Sequence, residues 1–117
     1  MELTAQEHAK ANVAALHGRI DHAASQQFPE LLRPYLEKCV KDAKPLILDF
    51  SDVEYISSAG LRTLMVAERT ARNQGGVFGV AAFQPMVREV FSISRFDLLI
   101  PCFETLENAL DKLGKQE

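Results

Sequence analysis

Four consecutive residues, Ser57-Ser58-Ala59-Gly60, carry the most telling chemistry in this chain. They stand before Leu61, Leu64, Ala67 and Ala71, an apolar set at helical spacing, so a helix is expected from about Ser58 to Gln74. Serine is favoured at such a start because its oxygen accepts a backbone N–H. A helix start also offers unpaired N–H groups and a partial positive charge. A phosphate carried by Ser58 would therefore be held there rather than expelled. Arg62 lies four residues on, on the same helical face, within reach of such a phosphate. Arg62, Val66, Arg69 and Asn73 continue a row leading away from Ser58, opposite the apolar face. By itself such a row is a solvated helix face and Ser58 a helix cap. Their adjacency is what raises the row to a candidate docking strip.

The remaining reactive side chains assemble into less. An Asp at the end of a buried strand, as Asp49 or Asp52 would be, is how a response-regulator receiver presents its phosphoacceptor. That chemistry also needs an acidic pair at the end of the first strand and a lysine after a later one. Glu7 is the only acid near the first position, and no lysine follows Leu98 to Pro101. Asp49 is instead expected to order the loop before the second helix by hydrogen bonds. His8, His17 and His22 have no cysteine or clustered acid beside them, whereas zinc needs three or four convergent ligands, so no metal is expected. Neither a Gly-x-Ser-x-Gly elbow nor a glycine-rich phosphate loop is present. Cys39 and Cys102 read as two buried thiols rather than a disulfide.

Positioning these residues requires alternating strands and helices. Leu3 to His8 and Asn12 to His17 are strand candidates, the second ending at Gly18. Phe28, Leu31, Leu32, Tyr35, Leu36, Cys39 and Val40 mark one face of a helix, with Asp21 as its cap. Pro29 and Pro34 interrupt that pattern, so a late start or a kink is expected. Leu46 to Phe50 reads as a buried central strand followed by a polar loop. Gly75-Gly76 stops the second helix and Val77 to Ala82 forms the next strand. Phe78 and Phe83 at its ends are expected in the core. Pro85 opens a third helix. Leu98-Leu99-Ile100 is expected as the last strand, stopped by Pro101, and Leu106, Ala109, Leu110 and Leu113 mark a last helix closed by Gly114. The alternation implies an α/β fold with parallel pairings and a mixed four- or five-stranded sheet with about four helices.

Bulk properties narrow the function classes. The 117 residues fit one domain, with 47% hydrophobic and 25% charged residues, values ordinary for a globular chain. The net charge of −3 is spread without a basic arm or stripe, which disfavours nucleic acid. No signal-peptide pattern and no long apolar run occur, so a cytoplasmic protein without membrane insertion is expected.

The stretch Leu48-Asp49-Phe50-Ser51-Asp52-Val53-Glu54-Tyr55-Ile56-Ser57-Ser58-Ala59-Gly60-Leu61-Arg62 resembles the signature of the STAS family. That family comprises the anti-sigma factor antagonists and a related domain of sulfate transporters. Its signature is a strand ending in Asp, a loop, an aromatic-aliphatic pair and a turn of the Asp-Ser-Ser-Gly-Leu type. Gly18-Arg19-Ile20-Asp21 is similar to the family's Gly-x-x-Asp before the first helix, and Gly75-Gly76 and Val90-Phe91 also fit. The resemblance covers about residues 10 to 114 and implies one STAS domain spanning 1–117. Two residues depart from the pattern: Ser57 replaces a frequent Asp, and Arg62 stands where a small residue, often Gly, is common.

The resemblance implies a regulatory binding protein and not an enzyme. Its partner would be a serine-kinase anti-sigma factor that phosphorylates Ser58, or less directly Ser57, and a serine phosphatase of the PP2C type would reverse this. Unphosphorylated, the chain would hold the kinase through Asp21, Ser57, Ser58, Ala59, Gly60, Arg62, Val66 and Arg69. No cofactor is implied. The alternative within the same family is a lipid or small-ligand module of a transporter-associated complex.

Overall fold

The computed structural model describes residues 1–114. In chain order they form β1 (Glu2–Glu7), β2 (Asn12–Ile20), α1 (His22–Glu37), β3 (Leu46–Ile56), α2 (Ser58–Asn73) and β4 (Phe78–Ala81). Then come α3 (Pro85–Ser94), a 3-10 turn (Phe96–Leu98), β5 (Cys102–Phe103) and α4 (Leu106–Leu113). The five strands make one sheet in the order β1-β2-β3-β4-β5. β1 runs antiparallel to β2, and every other neighbouring pair is parallel. The α/β class with a mixed sheet and four helices is thus as the sequence predicts.

Alternation along the strands divides the core, because successive side chains point to opposite faces. Ala14, Leu16, Leu46, Leu48, Phe50, Phe78 and Val80 face α1, α2 and α3, meeting Phe28 and Leu32, Leu61, Leu64, Ala67 and Ala71, and Val87 and Phe91. Val13, Ile47 and Ala81 face the other way and pack with Ala109 of α4. The two α2 faces separate as expected: Leu61, Leu64, Ala67 and Ala71 are buried, while Arg62, Val66, Arg69 and Asn73 are exposed. Gly75, at φ 78°, turns the chain away after α2.

Four local expectations need correction. First, α1 starts at His22, directly after its cap, and runs through both prolines. Pro29 and Pro34 are exposed, so their rings lie on the solvent side of the helix, while Phe28 and Leu32 anchor the buried side. Second, β3 does not stop at Phe50 but continues to Ile56. Its pairing with β2 shifts between Ala15↔Asp49 and His17↔Asp52, and again between Gly18↔Val53 and Arg19↔Tyr55. Each shift inserts an extra β3 residue and breaks the two-residue period that reveals a strand. Asp49 does order the backbone, accepting the Ser51 N–H at 2.9 Å, but inside the strand.

Third, the last strand is Cys102–Phe103 rather than residues 98–100. Leu98 and Leu99 are 76% and 53% exposed, and only Ile100 is buried. Pro101 cannot donate, but its carbonyl accepts the Val80 N–H at 2.9 Å and so begins the pairing with β4. Fourth, both cysteines are free but only Cys39 is buried, Cys102 being partly exposed. Burial pushes the Cys39 thiol above its usual range. Cys102 is pushed up to about 12 by burial, helped by the charge of Asp97. Both remain protonated near neutral pH, which removes them as nucleophiles.

Candidate functional site

β2 and β3 end level with each other, Ile20 opposite Ile56. The next residue in each chain segment caps the helix that follows. Asp21 accepts the Ala24 N–H at 2.9 Å, and Ser57 accepts the Gly60 N–H at 3.1 Å. The Ser57 N–H donates to the Ile20 carbonyl at 2.8 Å, tying the two helix starts together. The capping oxygen of α2 therefore belongs to Ser57, not to Ser58 as the sequence pattern predicts. Ser58 is the first residue within the helix; it is exposed and its hydroxyl makes no hydrogen bond among the described residues. A spent cap and a free hydroxyl thus stand side by side.

The rest of the expected set divides by depth. Gly60 is buried, so it lies beneath the surface formed by the others. A Cβ on Gly60 would lie 2.8 Å from Ile20 Cγ2 and 2.8 Å from Ile56 Cγ1, so glycine lets the first turn of α2 rest on the two strand ends. Ala59 is partly exposed, and Asp21, Arg62, Val66 and Arg69 are exposed. Ser58, Arg62, Val66 and Arg69 line one groove of about 480 Å³, with Leu61 and Met65 beneath them. A second groove, of about 610 Å³, lies between α1 and α2 over Pro29, Leu32, Leu36, Ala59 and Ala67. Arg62 and Val66 line both and so form the ridge between them. Asp21 lines neither groove; its side chain serves the start of α1.

The other candidates are held apart. Asp52 is 2.8 Å from His17 Nδ1, and His17 Nε2 is 3.1 Å from the Thr4 hydroxyl. This chain across three strands depends on strand register, so nothing local in the sequence reveals it. Glu7 pairs with Lys44 at 3.3 Å and stands opposite Asn12, whereas Asp49 stands opposite Ala15. The acidic cluster of a receiver is not assembled. Among the described residues no group of three His, Cys, Asp or Glu side chains is placed to hold a metal, and no helix is long and apolar enough to cross a membrane. Sequence reasoning missed the far wall of the Ser58 groove, Ser94 and Phe96, because only the packing of α3 brings it to α2.

The family model of the STAS domain matches residues 2–109. A protein of Bordetella bronchiseptica assigned as an anti-sigma factor antagonist, BtrV, is 32% identical over 97 residues, covering 83% of this chain and 81% of its own. Among solved structures, an anti-sigma factor antagonist from Mycobacterium paratuberculosis superposes with a TM-score of 0.84 at 24% identity, over 96% of this chain and 92% of that one. The phosphorylated form of the Bacillus cell-fate determinant SpoIIAA gives a TM-score of 0.65 at 20% identity, over 95% and 98%. Those structures share the fold, the sequence match spans nearly the whole chain, and on these grounds the protein belongs to the STAS-domain family.

Proposed function

We propose that this chain is an anti-sigma factor antagonist acting as a phosphorylation-controlled binding protein. In this reading the unphosphorylated Ser58 surface sequesters a serine-kinase partner of the anti-sigma type, in the cytoplasm, with residues 1–117 acting as one unit. Transfer of phosphate to Ser58 releases the partner, and a PP2C-type phosphatase restores binding. The chain is then a substrate of its partner rather than an enzyme.

One observation carries this reading: Ser58 is exposed and its hydroxyl makes no hydrogen bond among the described residues, in the first turn of α2, because Ser57 has taken the capping role. A kinase can reach that oxygen without opening the helix. About two negative charges added there would change a surface, not a core. The relationship to BtrV and to SpoIIAA, whose phosphorylated form shares the fold, supports the same assignment. The test is incubation with the cognate kinase and ATP, followed by mass spectrometry. Phosphate is expected on Ser58 and is expected to be lost in Ser58→Ala; phosphate found only on Ser57, or retained in that variant, overturns the assignment.

The groove between α1 and α2, with its apolar floor, favours a second reading as a small-ligand or lipid-related module of a transporter-associated complex. Titration with candidate lipids and nucleotides, followed by amide shifts, separates the two: this second reading requires saturable changes lining that groove.

A further inference from the structure

Pairing among the arginines is uneven. Of seven, four are engaged: Arg19 stacks over Tyr55, and Arg33, Arg72 and Arg88 pair with Glu30, Glu68 and Glu104. Arg62, Arg69 and Arg95 are exposed, and their side chains have no partner among the described residues. Two of them line the Ser58 groove, and the third is next in sequence to two residues of its far wall. Arg62 and Arg69 line the Ser58 groove from α2, Ser94 and Phe96 line it from the opposite side, and Arg95 lies between those two. The residue is in the left-handed region, φ 63°, closing α3 where glycine would be less strained. Among the described residues no acid lines the groove; the nearest in sequence are Glu68, beside Arg69 and paired with Arg72, and Asp97, exposed, just after Phe96.

The groove also offers apolar contact. Leu61, Met65 and Phe96 are in its lining, Val66 is 56% exposed on one rim, and Ile93, next to Ser94, is 76% exposed. Two guanidinium groups without partners among the described residues line an apolar trough, and Arg95 adjoins its α3 wall in sequence; in a chain of net charge −3 they form a local positive field that carboxylates would satisfy. Arginine is also the cation suited to paired, forked contacts with carboxylate.

We propose that this groove determines partner specificity and receives an acidic segment with aliphatic anchors from the partner protein. Its carboxylates meet Arg62, Arg69 and Arg95, and its aliphatic side chains seat on Leu61, Met65 and Phe96. The inference rests on the reading that the Ser58 end of α2 is the docking surface. It adds the α3 wall, Arg95, and the chemistry of the occupant. Because Ser58 lines the same groove, a phosphate there competes with the partner's carboxylates for the same arginines, Arg62 first. An anionic lipid surface fits less well, since Leu61, Met65 and Phe96 are recessed between two helical walls rather than raised on a convex face.

The probe is a synthetic helical peptide with leucines along one face and glutamates on the others, titrated into the isotope-labelled full chain. Amide shifts are expected within 58–69 and 93–97. Arg69→Glu and Arg95→Glu should each weaken binding roughly fivefold or more, and added salt should weaken it further. Arg95→Gly keeps the left-handed turn while removing the guanidinium, so it should weaken binding without harming the fold. The same peptide with lysine for glutamate should give no shifts. Shifts confined to the α1–α2 groove, equal response to the lysine peptide, indifference to Arg95→Gly, or no response to the glutamate peptide would overturn the proposal. Binding to phosphatidylserine vesicles that displaces the peptide would do the same. None of these measurements uses the kinase, so they can fail while Ser58 is still phosphorylated, and the converse holds too.

Discussion

The starts of α1 and α2 stand side by side at the ends of β2 and β3, each capped by the residue before it. In α1 the cap is a carboxylate, Asp21; in α2 it is a neutral hydroxyl, Ser57. Neither helix has an acid in its first turn. The positive end of α1 is therefore already compensated, whereas that of α2 is not. The third helical residue differs too: Ala24 in α1, Gly60 in α2. The start of α2 is pressed onto the strands and left electrically open, and that is the one of the two where added charge has somewhere to act.

The largest expected effect sharpens this contrast directly. If the Ser58 surface binds a kinase partner as proposed, Ser58→Asp should weaken that complex by several kcal/mol, since an unpaired charge is then placed where the interface closes. His22→Asp puts the same charge at the matching position of α1 and should change affinity little. Calorimetric titration of both variants compares the two ends. Equal losses would mean that both starts belong to the interface; loss with His22→Asp alone would move the interface to α1.

The next effect concerns packing. Gly60→Ala places a methyl 2.8 Å from carbons of both Ile20 and Ile56. Destabilisation of about 1–3 kcal/mol is expected in urea unfolding, the range typical of overpacking. Ala24→Gly, the reverse change in α1, should cost only the helix propensity of about 1 kcal/mol. A neutral result at Gly60 would show that the isoleucines yield, and that α2 is not held tightly.

Much of this arrangement was legible before any coordinates. The two α2 faces, the Asp21 cap and the position of Ser58 follow from helical spacing and residue type alone. What was illegible has physical causes. The capping role passed from Ser58 to Ser57 because two adjacent serines satisfy the same rule, and only backbone geometry decides which oxygen turns inward. The length of β3 is hidden in the sequence because its bulges space Phe50, Val53 and Ile56 by three. The final strand is masked by Leu98 and Leu99, which are apolar yet exposed. Arg95 carried no signal, since its relation to α2 exists only once α3 packs.

A smaller difference should separate the caps. Ser57→Ala and Asp21→Ala are each expected to cost about 1 kcal/mol through the lost hydrogen bond. Asp21→Ala should lose about 0.3–1 kcal/mol more, because its charge also faces the helix end. That extra part should fade in high salt, while the Ser57→Ala cost should not. Thermal unfolding at low and high ionic strength checks both.

The smallest expected effect is the most discriminating for mechanism. A phosphate on Ser58 meets the uncompensated start of α2, with Arg62 four residues on, and its oxygen is already exposed. Helix-end charge effects run at about 0.3–1 kcal/mol, so the phosphorylated protein should melt at or slightly above the temperature of the unmodified one. Arg62→Gln should remove part of any gain without touching the unmodified protein, because Arg62 has no side-chain partner among the described residues to lose. Phosphorylation would then switch binding with the fold intact, by changing the groove rather than by loosening α2. A drop of several degrees on phosphorylation would reverse that conclusion. It would mean that the modified serine drags the Ser57 cap and the Gly60 contact apart, and that the switch operates by local unfolding of the first turn.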